Sequence, residues 1–209
     1  LTALVRHHIA TPACPLPPAI PGITWIWAAN GIWKRGVSAT LDLLIPVAPL
    51  ATAIPGLAHL LPHARWRGVP GRIPGALLDA ILDHAQRASR ASGSLLTPIE
   101  QQYFTPSRPG AARPFRGALP PQDAGAGHVR YTMPQQGQVL IDLHSHHGMR
   151  AYFSATDNRD DTGLSISAVI GRIFDAPEIV VRANVYGHHA PLSAALLMDR
   201  VSLREVSHA

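Results

Sequence analysis

Cysteine is almost missing from this chain. Cys14 stands alone among 209 residues, so no internal disulfide can form and a disulfide-stapled scaffold is excluded. Lysine is as scarce: of 18 basic residues only Lys34 is a lysine. The arginines run from Arg6 to Arg204 with no dense cluster, and a phosphate-tracking surface needs a local run or a basic helix face. The formal net charge of +5 therefore reads as a general arginine bias, and a specific nucleic-acid site is not expected. Charged residues make up only 15% of the chain, yet 46% is hydrophobic, which excludes a disordered polymer. Long apolar runs are missing too. The nearest is Leu43 to Leu61, and Pro46, Pro49 and Pro55 would break a membrane helix there three times. It reads as buried, proline-punctuated packing. No targeting signal is visible, and the expectation is a cytoplasmic protein without membrane contact.

What the chain has in excess is proline, 20 residues, beside 17 glycines without period. Short strands and turns should outnumber long helices. Residues 1–22 read as irregular. Ile23 to Trp33 holds two β-favouring runs around Asn30-Gly31, a hairpin signal. A basic Pro/Gly stretch from Arg65 to Pro74 marks a soft boundary between an N-terminal region, 1–72, and a second domain, 73–209. Ala76 to Ser89 carries Leu77, Leu78, Ile81, Leu82 and Ala85 at helical spacing. Glu100 to Phe104 reads as a strand, 105–127 as a long loop able to act as a lid, and Gln138 to His146 as a strand. Leu164 to Phe174 and Ile179 to Tyr186 read as strands joined by a turn at Asp175–Pro177, and Leu192 to Met198 as a strand or short helix. A helix followed by several strands predicts an α+β or mixed α/β domain.

The chemistry concentrates in His144 to Asp157, HSHHGMRAYFSATD. His144 and His146 are two residues apart, so on a strand both imidazoles face one side. Asp157 follows after a turn made possible by Gly148 and can add a carboxylate oxygen. Two histidines and one carboxylate leave a fourth position for water, the pattern of a catalytic rather than a structural zinc site, and mixed His/Asp ligands favour zinc. A proton acceptor is also needed. The chain has three glutamates, and only Glu100 precedes the histidines. The Ser154 hydroxyl can donate to a developing oxyanion. Ser154 to Asp157 also fits a helix N-cap with an acidic residue at its third position, which would hold Asp157 in place.

Glu100, His144-Ser145-His146, Ser154 and Asp157 together resemble the motif of the JAMM/MPN (JAB) zinc metallopeptidases, and the His-x-His-x7-Ser-x2-Asp spacing is met throughout. The resemblance covers roughly residues 73–205. It implies a curved mixed sheet flanked by helices, with deaminase-like layering. It assigns His144, His146 and Asp157 as ligands of Zn2+, Glu100 as acid/base and Ser154 as donor to the transition state. More narrowly, WAANGIWKRG and DLHSHHGMRAYFSATDNRDD are similar to a subfamily of the PRTRC cassettes of bacterial plasmids and genomes. That similarity implies a ubiquitin-like or sulfur-carrier-like substrate and an E1/ThiF-like partner from the same cassette. The chain departs from many members in having His147 where they have proline, and Gln101-Gln102-Tyr103 where they have glycines.

Other polar residues read more plainly. Asp142 shares the histidine face and is expected to be solvated or to orient a ligand. Asp160 and Asp161 read as a solvated turn from which one could support the site, His7-His8 and His188-His189 as surface pairs, His147 as turned away from the site. Trp25, Trp27 and Trp33 read as core, and Cys14 as structural. The rival functional reading is a non-catalytic scaffold in a plasmid-associated assembly, and complete ligands with an open position argue against it.

Overall fold

The computed structural model describes residues 5–68, 71–91, 101–106, 115–118, 122–125, 128–131 and 141–206, with backbone alone between 91 and 131. The first sheet is β1 (Val5–Ile9), β2 (Gly22–Ala28), β3 (Gly31–Val37), β4 (Leu41–Pro49) and β5 (His63–Trp66), in sequential order. β1 runs parallel to β2, and the rest is an antiparallel meander. Residues 1–22 are therefore not wholly irregular, and 65–66 close a sheet rather than open a linker. Both strands lack a strong apolar alternation, and pairing to a neighbour makes them.

β2 and β3 form the expected hairpin, but with Ala28 opposite Gly31 its turn is Ala29-Asn30, one residue before the Asn30-Gly31 signal. Gly31 sits at φ 145°, where a Cβ would lie 2.5 Å from the Ala48 carbonyl oxygen. Asn30 clamps Leu60 with its amide: Nδ2 donates to the Leu60 carbonyl at 2.8 Å, and Leu60 N donates to Oδ1 at 3.0 Å. The apolar stretch from Leu41 is a true strand up to Pro49. Its register shifts opposite Ile32/Trp33, where Trp33 pairs with Pro46 and Ile32 with Ala48. Proline cannot donate to the ladder, and the irregularity absorbs it.

α1 (Gly75–Ala91) packs Leu78, Ile81 and Ala85 inward. The second sheet runs β13 (His189–Leu192), β12 (Glu178–Val185), β11 (Leu164–Gly171), β10 (Ile141–Ser145), β6 (Gln101–Pro106), β7 (Phe115–Ala118). A short β14 (Arg204–Glu205) adds to β12. β10 and β11 are parallel, and the main ladders around them are antiparallel, so the sheet is mixed. β8 (Gln122–Gly125) pairs with β9 (His128–Tyr131). The segment 105–127 is thus not one loop: β7 extends the main sheet and β8 sits in a ribbon. Its described stretches pair with partners, and Pro106, Gly117 and Gly125 lie within those strands. At the C-terminal end a 3₁₀ turn, Ala194–Leu196, follows β13, where a strand or short helix was expected.

β12 is buried along its whole length and alternates strictly. Ile179, Val181, Ala183 and Val185 face one side, with Ile166, Ala168 and Ile170 of β11 and Ile141 and Leu143 of β10. That side packs on α1 and on Leu41, Leu43 and Ile45 of β4, so the two sheets share one core. The other face is different. A small cluster of Ala151, Val169 and Val180 lies there, among His144, Ser167, Glu178, Arg182 and Asn184. The result is the expected α+β fold of mixed sheets flanked by helices.

Candidate metal centre

His144 lies near the end of β10, between β6 and β11, paired with Gln101 on one side and Val169 on the other. β10 ends at Ser145, but His146 N still donates to the Ile170 carbonyl at 2.7 Å, so the extended chain carries His146 onto the same face as His144. The two rings sit 5.1 Å apart between centroids. The chain then reverses, and Met149 N donates to the His146 carbonyl at 2.9 Å. His147, not Gly148, adopts the left-handed backbone of this turn, at φ 50°. Its Nδ1 meets Ser89 Oγ of α1 at 2.8 Å, and it stands apart from the other two histidines as expected.

The returning segment ends in α2 (Ala155–Asp160), capped by Ser154. The cap is reciprocal: Asp157 N donates to Ser154 Oγ at 3.2 Å, and Ser154 N donates to Asp157 Oδ2 at 2.6 Å. One carboxylate oxygen is spent on the cap. The other, Oδ1, lies 3.7 Å from His144 Nε2. Ligand atoms of His144, His146 and Asp157 all fall within 4.8 Å of one another, a group that could hold a metal ion. Bonds of about 2.0–2.1 Å in a tetrahedron place neighbouring ligands about 3.4 Å apart. The His144–Asp157 pair is near that, and the widest pair needs a contraction of side-chain size.

The protonation state separates a metal site from an ion pair. Burial drives His144 down to about 4, outweighing the pull of Asp157. Burial also lowers His146, against the opposing pull of the Arg150 backbone and of Asp157. Burial would raise Asp157, but His144 and its two Ser154 hydrogen bonds outweigh that and hold it below the usual carboxylate range. Near neutral pH the site is thus two neutral imidazoles and a carboxylate. A neutral His144 cannot anchor a salt bridge, but it is the form that binds a cation. His146 Nδ1 is buried without a hydrogen-bond partner among the described residues, which fits a donor atom kept for a ligand.

Residues 74–184, more than half of the chain, match Prok-JAB, the prokaryotic homologs of the JAB domain. The chain belongs to this family. Membership and the three side chains together support a JAMM-type hydrolase. No curated protein matches the chain.

The remaining expectations for this Prok-JAB site divide. Glu100 lies outside the described residues; the next residue, Gln101, heads β6 and pairs with His144. Asp142 is on the expected face but outside the three-residue group. Asp161 is not a free turn residue. Its Oδ2 accepts from Arg182 Nη2 at 2.7 Å and from Ser167 Oγ at 2.8 Å. The pair His188-His189 is no plain surface either: His188 Nδ1 lies 3.1 Å from Lys34 Nζ, and His189 Nδ1 lies 3.0 Å from Asn184 Oδ1. Trp33 is core, but Trp27 is exposed, because β2 turns it to the outer face of the first sheet. Cys14 is exposed, with Sγ near the Leu16 carbonyl at 3.7 Å.

Sequence reasoning missed Tyr152, whose ring meets the His146 ring edge-on at 4.5 Å between centroids. It also missed Arg182 and Asn184. A signal for both was present: Glu178, Val180, Arg182 and Asn184 occupy alternate positions of an otherwise apolar strand, so polar groups recur on one face of a buried element. Among the described residues no helix is long and apolar enough to cross a membrane.

Proposed function

We propose that this Prok-JAB chain is a zinc metallopeptidase or isopeptidase. Its substrate is a peptide or isopeptide bond next to the tail of a ubiquitin-like or sulfur-carrier-like protein. The observation that carries the reading is the convergence of buried His144 and His146 with half-buried Asp157, in ligand form and behind a reciprocal cap. These three would hold the metal. Zinc, when bound, supplies a Lewis acid that polarises a carbonyl and lowers the pKa of water to about 7.

The chain's own residues do the rest. Ser154 Oγ accepts the Asp157 N–H and so keeps its hydroxyl proton for another acceptor. That proton points the role of Ser154 toward the carbonyl oxygen of a scissile bond, where negative charge develops. Glu100 takes a proton from the attacking water and delivers it to the leaving amine. The start of β6 beside His144 supports that role, since Glu100 immediately precedes it. The similarity of residues 27–36 and 142–161 to the PRTRC subfamily supports an E1/ThiF-like partner encoded in the same cassette.

The test is zinc content and cleavage of a ubiquitin-like fusion from such a cassette. Wild type should bind about one zinc and cut, whereas Glu100→Gln should keep the zinc and lose at least ~100-fold in rate. Equal cleavage by both removes Glu100 from the mechanism. Zinc without cleavage of any such fusion favours the scaffold reading.

A further inference from the structure

α2 carries Asp157, yet none of its residues is buried. A helix of 6 residues does not hold itself, since isolated helices shorter than about 12 residues are marginal in water. Its place must be set from outside. Beneath it, β12 presents Arg182, whose side chain is only 6% exposed. The guanidinium meets the α2 segment at three points. Nη2 donates to Oδ2 of Asp161, the C-cap, at 2.7 Å. Nη1 donates to Oδ1 of Asn158, the residue after Asp157. Its Cζ lies over the ring of Phe153, just before the Ser154 cap, 3.9 Å from the centroid. One side chain therefore grips the helix before its start, in its middle and at its end. Ser167 Oγ steadies Asp161 at 2.8 Å, and Asn184 Nδ2 donates to Ser167 Oγ at 2.8 Å.

None of these residues belongs to the three that gather as ligands. Burying a charged pair costs desolvation, and an apolar pair would join two layers as well. What an apolar pair lacks is direction. Arginine offers a planar fork that donates to two acceptors while its flat face stacks on a ring, which lysine cannot do.

We propose that Arg182 is the positioning residue of the metal centre: from β12 it pins α2 to the sheet and sets Asp157 opposite His144 and His146. This rests on the zinc-site reading above. The experiment is a double-mutant cycle on metal affinity in the full chain, using Arg182→Lys and Asp157→Ala. Zinc affinity is read by chelator competition, and ligand geometry by the absorption spectrum of cobalt(II). Arg182→Lys should weaken zinc binding ~10–100-fold, the usual cost of losing an outer partner of a ligand. With Asp157 already alanine it should change binding by less than about twofold, because the residue it positions is gone. The cobalt spectrum of Arg182→Lys should move toward that of Asp157→Ala. Unchanged affinity, or equal weakening in both backgrounds, overturns the proposal. If Arg182→Lys does not fold, Asn158→Ala runs through the same cycle with the Arg182–Asp161 pair intact, and about fivefold weakening is expected. A native chain that binds neither zinc nor cobalt overturns the proposed function, and this inference with it, by a result independent of any Arg182 variant.

Discussion

His144 is the residue on which the pH behaviour of the metal-free protein turns. Its ordinary value of 6.5 falls to about 4 in the folded chain, chiefly by burial. Between those values the unfolded chain holds a proton that the folded chain does not. Stability must therefore fall as pH drops from about 6.5 toward about 4, and it gains nothing further above that window. His146 and His147 are lowered by burial as well and act in the same direction. Urea unfolding of the apo protein at several pH values should show this slope, and His144→Gln should flatten it. A slope untouched by that change would mean His144 is protonated when folded, and the ligand-ready state would be wrong. The residue scale also explains why the candidate ligands could be read early. Spacing on a strand fixes which side chains share a face, whatever the strand packs on. His144 and His146 needed only that β10 be a strand.

The decisive element is α2, a helix whose N-terminus is also part of the site. Ser154 serves the helix as its cap and, in the proposed reaction, the substrate as a donor. Two substitutions separate these roles. Ser154→Ala should cost ~1 kcal/mol at the cap and weaken zinc binding about fivefold, because loosening the cap frees Asp157. Ser154→Asp should restore the cap and the metal affinity, yet leave cleavage impaired. If Ser154→Asp cleaves like wild type, the hydroxyl has no part in the chemistry. β11 supplies a second constraint. A Cβ on Gly171 would stand 2.6 Å from the Met149 carbonyl oxygen and collide with the backbone of Arg150 and Ala151. Gly171→Ala should therefore displace the turn that follows His146 and cost about 1–3 kcal/mol, seen in a thermal melt of the apo protein. The cap was legible because Ser-x-x-Asp is a local pattern. Only the start of the helix is legible in this way, since six residues show no periodicity to mark its extent.

At the scale of the molecule, the first sheet is more than an appendage. Leu41, Leu43 and Ile45 of β4 enter the same core as β10, β11 and β12. A side chain on Gly36 of β3 would collide with Leu164 of β11 and reach Val185 of β12 at 3.0 Å, so the sheets touch closely there. Lys34 adds a polar tie, donating to the Tyr186 carbonyl at 2.7 Å. Leu43→Ala should therefore destabilise the whole chain by about 2–5 kcal/mol, with both sheets melting and zinc leaving in one transition. Two separate transitions, with the metal centre unaffected by the first, would show that the N-terminal region folds independently.

The sequence by itself determined the parts that depend on neighbours along the chain. Helix α1 followed from apolar spacing, the β2–β3 hairpin from Asn30-Gly31, and the His144, His146 and Asp157 set from a strand period and a capping pattern. Local sterics and side-chain periodicity act at short range, so they are written in short windows. Tertiary structure decided the rest. β1, β5 and the pieces of 105–127 became strands only by pairing with a partner, because an edge strand draws its hydrogen bonds from elsewhere in the chain. The Arg182 network exists only because β12 lies under α2, some twenty residues earlier in the chain. No local rule announces that contact, and it is burial that makes it strong.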